Sequence, residues 1–364
     1  MLQKPAVSDE TLRACLRDHY GLPVTQIAFL PIGNDVNTAV YRVVADDATP
    51  YFVKLRSGAF DEASVAIPRF LHDQGIAQIL APIATNAGRL WTRVDAFAVI
   101  VFPFVAGRNS FEAPLSERQW GDLGAALRSI HTAVVPPSLS AQIPHEQYTP
   151  RWRDLVRTFQ ARVEATACTE PIAAEMAAFL RTRRDEISHL VARADALGDA
   201  LRAYLPAQVL CHADIHGGNV LIGTDDALFI VDWDTLTFAP RERDLMFIGG
   251  GIAGVWNSTQ EETWFYQGYG RTEINPLALA YYRYERIVQD IAAYCEQLLL
   301  TDEGGADRAQ GLHYFLDQFL PNNVVAIAYR TDTLLGANEG NSRSLQQPSV
   351  PEFVQHHLAY SNTR

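Results

Sequence analysis

Apolar and polar positions along the first third of the chain alternate mainly with a period of two, after one helical stretch near its start. From Ser8 to Tyr20, Leu12, Leu16 and Tyr20 share a face, Ser8 or Asp9 can cap the first turn, and Gly21 stops the helix. Strand formers then recur at Gln26 to Pro31, Thr38 to Val44 and Tyr51 to Leu55, with a tight turn at Gly33-Asn34-Asp35-Val36-Asn37 after the first. Asp61 to Gln74 reads as a helix containing Pro68, which removes one intrahelical hydrogen bond and predicts a kink or a late start. Ile79 to Thr85 and Arg89 to Thr92 read as strands around Asn86-Ala87-Gly88, and Phe97 to Val105 as a buried strand running into a linker.

From Ser116 onward the period lengthens to that of a helix. Trp120, Leu123, Leu127 and Ile130 fall on one face, and Trp152 to Ala165, Pro171 to Leu197, Asn275 to Leu300 and Pro321 to Leu335 continue the pattern. Short apolar runs interrupt it at Ala207 to Cys211, Val220 to Gly223 and Leu228 to Asp232. These predict an α+β chain of two lobes: 1–105 built on an antiparallel sheet and 106–335 mostly helical. Residues 336–364 lose periodicity, gain Asn, Ser, Gln and Pro, and read as a mobile tail. Neither an internal repeat nor a low-complexity domain is visible.

The candidate chemistry sits between the short strands of the second lobe. His212-Ala213-Asp214-Ile215-His216-Gly217-Gly218-Asn219 is a polar loop held at both ends, and Asp232-Trp233-Asp234 closes the next strand. Three hard oxygen ligands, from Asp214, Asn219 and Asp232, can converge there, and such ligands suit Mg²⁺ bound together with nucleotide phosphates. In isolation a His-x-Asp loop is ordinary turn chemistry and the later Asp an ordinary strand end. In this order and spacing they match the phosphoryl-transfer arrangement of a proton-accepting Asp, a metal-binding Asn and a second metal-binding Asp.

The residues His212 to Asn219 and Phe229 to Asp234 resemble the signature of the aminoglycoside phosphotransferase family, whose fold is that of a protein kinase. Narrower stretches, Arg241 to Gly251, Val255-Trp256-Asn257, Phe265 to Gly270 and Tyr281 to Val288, are similar to its spectinomycin phosphotransferase branch. The resemblance covers about residues 1 to 335. It implies a two-lobed protein-kinase-like fold, with a small antiparallel-sheet lobe that binds ATP and a helical lobe that binds the acceptor.

Site residues follow from that frame. Asp214 is the expected base; Asn219, Asp232 and Asp234 are the expected metal ligands, with Asp234 equally suited to contacting substrate or capping a turn. Lys54 is one of two lysines in the chain, the other being Lys4, and a lysine kept in an apolar strand needs an anion nearby. The kinase template gives that lysine a nucleotide phosphate and a helix-borne Glu, which selects Glu62, with Asp61 as the competing partner. The hairpin tip ending at Asn37 is either a phosphate cover or a plain turn. Phe102 to Ala106 are expected beside adenine, and because Pro103 has no N–H, Phe104 or Val105 must donate. For the acceptor the resemblance directs attention to Trp256, Tyr266, Tyr281, Tyr282, Glu285 and Asp290, an aromatic wall with carboxylates suited to a dicationic aminocyclitol. Helix packing explains each of these residues separately. His212 reads as a brace of the loop backbone, and Asp244 as its fastener.

Composition narrows the reading. With 364 residues, 48% hydrophobic and 20% charged, the chain is ordinary globular material for two lobes. Its net charge of −12 argues against nucleic acid as a partner and favours a cationic small-molecule acceptor. No apolar run approaches the ~18 residues that span a bilayer, and no secretory leader is visible, so a cytoplasmic protein is expected, with a monomer as the default. Cys15, Cys168, Cys211 and Cys295 are scattered and read as reduced thiols. Besides spectinomycin phosphorylation, the sequence leaves open a kinase of small amino alcohols or sugars and a kinase-like binding protein without transfer.

Overall fold

Ser8 opens the first helix by accepting a hydrogen bond from Thr11 N at 3.0 Å, and Gly21 closes it in the left-handed conformation at φ 66°. The computed structural model describes residues 4–33, 37–301 and 306–344; the part of the hairpin tip at 34–36 lies outside them. Helix α1 (Asp9–Tyr20) packs Leu12, Leu16 and Tyr20 on a sheet made of β1 (Val24–Leu30), β2 (Thr38–Ala45), β3 (Pro50–Ser57), β4 (Thr92–Val94) and β5 (Phe97–Pro103), with α2 (Ala63–Asp73) between β3 and β4. The strand order is β1-β2-β3-β5-β4, and all neighbours run antiparallel. Side chains alternate across β3, so Val53 and Leu55 enter the α1 core while Lys54 and Arg56 share the opposite face.

The strand expected at Ile79 to Thr85 does not form. Ile79 makes a single bridge to Ile230, Ile83 N donates to Val101 O at 2.7 Å, and Pro82 has no N–H with which to continue a ladder. Helix α2 starts at Ala63 and carries Pro68 in its interior, so the proline does not set its beginning.

The chain enters the second lobe through β6 (Gly107–Asn109). Only glycine fits at its first position, because a Cβ on Gly107 would lie 1.9 Å from Ile222 O. There follow α3 (Glu117–Thr132), α4 (Pro137–Ser140), α5 (Arg151–Ala165), α6 (Pro171–Thr182), α7 (Arg184–Tyr204), β7 (Val209–Cys211), β8 (Val220–Gly223), β9 (Leu228–Ile230), β10 (Thr237–Ala239) and α8 (Glu242–Leu245). The last helices are α9 (Thr259–Tyr269), α10 (Pro276–Leu299), α11 (Ala306–Asp317) and α12 (Val324–Ser344). The long helix expected over Pro171 to Leu197 is two, broken at Arg183, a position with neither Gly nor Pro to announce it. Nothing in the periodicity foresees α11, and α12 continues through 336–344, where a tail was expected; 345–364 lie outside the described residues.

Helix α10 is the spine of this lobe. Asn275 caps it by accepting from Leu277 N and Ala278 N, and its buried Tyr281, Tyr282, Ile287, Val288 and Ile291 are enclosed by α5, α7 and α12. Among the described residues no helix is long and apolar enough to cross a membrane.

Candidate active site

Strands β7 and β8 belong to different small sheets, β7 with β10 and β8 with β6 and β9, so the loop between them is pinned to two separate supports. Asp244, fully buried in α8, fastens it from below. Its carboxylate accepts from His212 N at 3.0 Å, Ala213 N at 2.6 Å and His131 Nε2 at 2.9 Å. Burial pushes the proton affinity of Asp244 up, and these donors with the nearby imidazoles outweigh it, so its pKa is net lowered. His212 braces the loop as expected: Nε2 donates to Val231 O at 3.0 Å, and Nδ1 accepts from Asp214 N at 3.3 Å. Thr235 and Asp214 thereby hang from one backbone segment, since the Thr235 hydroxyl donates to His212 O at 3.1 Å.

Asp214 and Asn219 face each other across the loop. Asn219 Nδ2 donates to Asp214 O at 2.9 Å and approaches Oδ2 at 3.3 Å, which leaves Asn219 Oδ1 as the atom available to a cation. Val231 N donates to Asn219 O at 3.0 Å, bringing the end of β9 and therefore Asp232 alongside. Asp232 itself adopts a left-handed backbone, φ 65°, which costs a non-glycine residue roughly 1–2 kcal/mol and turns its side chain out of the strand.

Lys54 reaches this turn from β3. Its Nζ lies 2.9 Å from Asp232 Oδ1 and 2.8 Å from Asp234 Oδ2, and Arg56 on the same face of β3 also pairs with Asp234. Burial alone would lower the lysine's pKa, but the two carboxylates reverse the sign and hold it above its ordinary value. Lys54 does not pair with Glu62, as the sequence reading expected, nor with Asp61. Glu62 is exposed at the start of α2, whereas the two carboxylates stand opposite the Lys54 face of β3. These carboxylates already draw in two cationic side chains, Lys54 and Arg56, so their charge and donor chemistry fit a divalent metal with phosphate.

Four other expected residues are not where the resemblance places them. Tyr281 and Tyr282 are core: they stack edge-on to each other at 5.1 Å, and Tyr281 meets Tyr148 at 5.3 Å. Glu285 is buried beside Arg153, 3.4 Å away, inside the helical packing. Trp256 is also buried, packed on Trp120 and donating from Nε1 to Ser110 Oγ at 3.0 Å. An acceptor wall requires accessible faces, which these four lack. Tyr266 lines a cleft of about 760 Å³ with Ile248, Glu262, Glu273 and Arg283, whose lining includes neither Asp214 nor Asp290. Asp290 does approach the loop, through Arg286. In the linker, Phe102 pairs with Phe52 across the sheet, and Phe104 and Val105 follow the end of β5, Phe104 beneath the Arg42 guanidinium. Asn37 immediately precedes β2.

The sequence reading missed Arg286 and Phe111. Arg286 lies 2.6 Å from Asp214 Oδ1, and its signal was an Arg four residues before an Asp on a helix whose other face is core. Phe111 stacks on His216 at 5.5 Å and covers Gly217 and Gly218; no local pattern distinguishes it from a core residue.

An antiparallel lobe that delivers a lysine, and a helical lobe that delivers an Asp-loop and a second carboxylate turn, define the class of kinase-like phosphotransferases. The chain belongs to the phosphotransferase enzyme family, whose sequence profile matches residues 28–284. Protein StrN of Streptomyces griseus is 30% identical over 246 residues, covering 63% of this chain and 71% of that protein. Spectinomycin phosphotransferase APH(9)-Ia, solved in complex with ADP and spectinomycin, superposes with a TM-score of 0.85 at 39% identity, over 90% of this chain and 99% of that one. Its AMP-bound form gives 0.80 at 38% identity, over 89% and 98%.

Proposed function

We propose that this chain is an ATP- and Mg²⁺-dependent O-phosphotransferase that transfers the γ-phosphate to a hydroxyl of spectinomycin or a close aminocyclitol relative. The observation that carries the transfer is the convergence of Asp214, Asn219 and Asp232 from the helical lobe with Lys54 from the sheet. Support for the acceptor comes from the 39% identity over 90% of the chain to an enzyme solved with spectinomycin.

Each residue then has one task. Asp214 Oδ2 takes the proton of the acceptor hydroxyl as its oxygen attacks phosphorus, and the ADP oxygen leaves on the opposite side. Lys54 moves part of its charge from the two carboxylates to the nucleotide phosphates. Asn219, Asp232 and Asp234 would hold Mg²⁺, which when bound neutralises phosphate charge. Backbone at Phe104 and Val105, beside Phe102, serves the adenine end of the nucleotide, and Asn37, next to Ser57 at the other end of β3, its phosphate end. Because most of the catalytic effect in such a site is positioning and charge, fastening the loop from Asp244 matters as much as the groups themselves. Action in the cytoplasm, as a monomer, goes with this reading.

ADP release from the purified chain with spectinomycin, kanamycin, choline and ethanolamine as separate acceptors tests the proposal. Release is expected with spectinomycin. Transfer to kanamycin with none to spectinomycin would overturn the acceptor while keeping the chemistry, and no acceptor-dependent release at all would leave a binding protein.

A further inference from the structure

One oxygen of the Asp214 carboxylate is held much more closely than the other. Arg286 Nη1 lies 2.6 Å from Oδ1, while among the described residues Oδ2 has His216 Nε2 at 3.4 Å and Asn219 Nδ2 at 3.3 Å. The same guanidinium forms an ion pair with Asp290, one turn further along α10, with Nε 2.9 Å from Oδ1 but not aligned for a hydrogen bond, and lies over the Phe247 ring at 5.5 Å. Its backbone is not free to move, because Glu285, Ile287 and Val288 on either side are buried in the helical core.

A guanidinium carried on a fixed helix and paired in charge with a second carboxylate can set the rotation of a carboxylate to which it donates. A proton acceptor in line with a transferring phosphoryl group has to be placed closely, since about 1 Å of misplacement costs on the order of a hundredfold in rate. We propose that Arg286 is a positioning residue of the transfer: by donating to Oδ1, with its charge balanced by Asp290, it presents Oδ2 to the acceptor hydroxyl. This rests on the reading of Asp214 as the group that takes the acceptor proton. The arrangement also suits a cationic acceptor, because two carboxylates sharing one guanidinium leave a net negative charge.

Lysine cannot reproduce it, since one ammonium on a shorter reach is a point charge rather than a fork. Steady-state kinetics of Arg286→Met, Arg286→Lys and Asp290→Asn with Mg-ATP and spectinomycin separate positioning from mere packing. Arg286→Met is expected to lose about tenfold to a hundredfold in kcat, with the KM for ATP and for spectinomycin within about threefold. Arg286→Lys should recover part of that loss, and Asp290→Asn should show a smaller loss of the same kind. In Arg286→Ala, added ethylguanidinium at concentrations well below denaturing should restore part of kcat. A kcat within about twofold of wild type in Arg286→Met would overturn the proposal, as would losses confined to KM or an absence of rescue by both lysine and ethylguanidinium. If Arg286→Met does not fold, the lysine and Asp290→Asn variants decide by the same criteria. Should wild type fail to phosphorylate spectinomycin, the acceptor reading fails separately, and the same kcat comparison is then made on slow ATP hydrolysis, with water in place of the hydroxyl.

Discussion

At Asp214 two opposing effects set the affinity for a proton. Burial raises it, but Arg286, and then His216, lower it further, so the carboxylate is held well below its ordinary pKa and is ionised at neutral pH. Asp214→Asn keeps the size and removes the proton acceptor, so kcat should fall by about 10²- to 10⁴-fold while Mg-ATP affinity stays within a few-fold. Quenched-flow or steady-state assays beside a nucleotide titration check this; transfer at wild-type rate would remove Asp214 from the role. Asp232→Ala should instead weaken Mg²⁺-dependent ATP binding as well as rate, because a metal-holding carboxylate serves ground state and transition state alike. Calorimetry that finds unchanged Mg-ATP affinity would make Asp232 a strand-end residue and nothing more. That Asp214, Asn219 and Asp232 come together was readable because one short loop carries the first two and the β8–β9 pair returns the third beside it. The partners of Lys54 were not, since they arrive from the other lobe, 178 and 180 residues later. Arg286 was hidden for a related reason: along α10 only its distance to Asp290 is local.

Among the elements, α10 carries the clearest consequence for stability. Burial raises the Glu285 carboxyl to about 7 from an ordinary 4.5, against the opposing pull of Arg153. The folded state therefore holds this proton more tightly than the unfolded chain does. The resulting stability is fully present below about pH 4.5 and is lost as pH rises through about 7, about 3 kcal/mol in all. Glu285→Gln removes the titration, so its urea midpoint relative to wild type should rise between about pH 5 and about pH 8; parallel profiles would contradict the burial effect. Asp244 is the second element-scale prediction. Asp244→Ala leaves His212 N, Ala213 N and His131 without their acceptor and should cost about 3 kcal/mol by thermal or chemical melting, with kcat falling as the loop loosens. A variant as stable as wild type would mean the loop is held from elsewhere. Most helices were legible from period and caps, α1, α3 and α10 closely so. The break at Arg183 was not, because neither Gly nor Pro marks the end of α6, and Ile79 to Thr85 looked like a strand because apolar content alone does not reveal the missing N–H of Pro82 as decisive.

For the whole molecule, the two lobes meet at a charged contact, Lys54 and Arg56 against Asp232 and Asp234, in a chain of net charge −12. A field of that sign speeds the encounter with a cation, so kcat/KM for a cationic acceptor should fall as salt shortens the Debye length from about 30 to about 8 Å. Stopped-flow or initial-rate measurements across that range check it, and a flat response would show that charge steers nothing here. Charge alone would favour the more highly charged kanamycin over spectinomycin, so discrimination between them reports on shape. The lobe architecture and the phosphotransfer chemistry were legible in the sequence. The acceptor wall was not: tyrosines at helical spacing look alike whether they face a ligand or a core, and Tyr281 and Tyr282 face the core.

The most direct measurement is the product of the purified chain incubated with Mg-ATP and spectinomycin, analysed by mass spectrometry and by phosphorus–proton NMR. One phosphoryl group on a single spectinomycin hydroxyl, formed together with one ADP and absent in Asp214→Asn, is the expected result. Unmodified spectinomycin after prolonged incubation, from a chain that binds ATP normally, would contradict the proposed function.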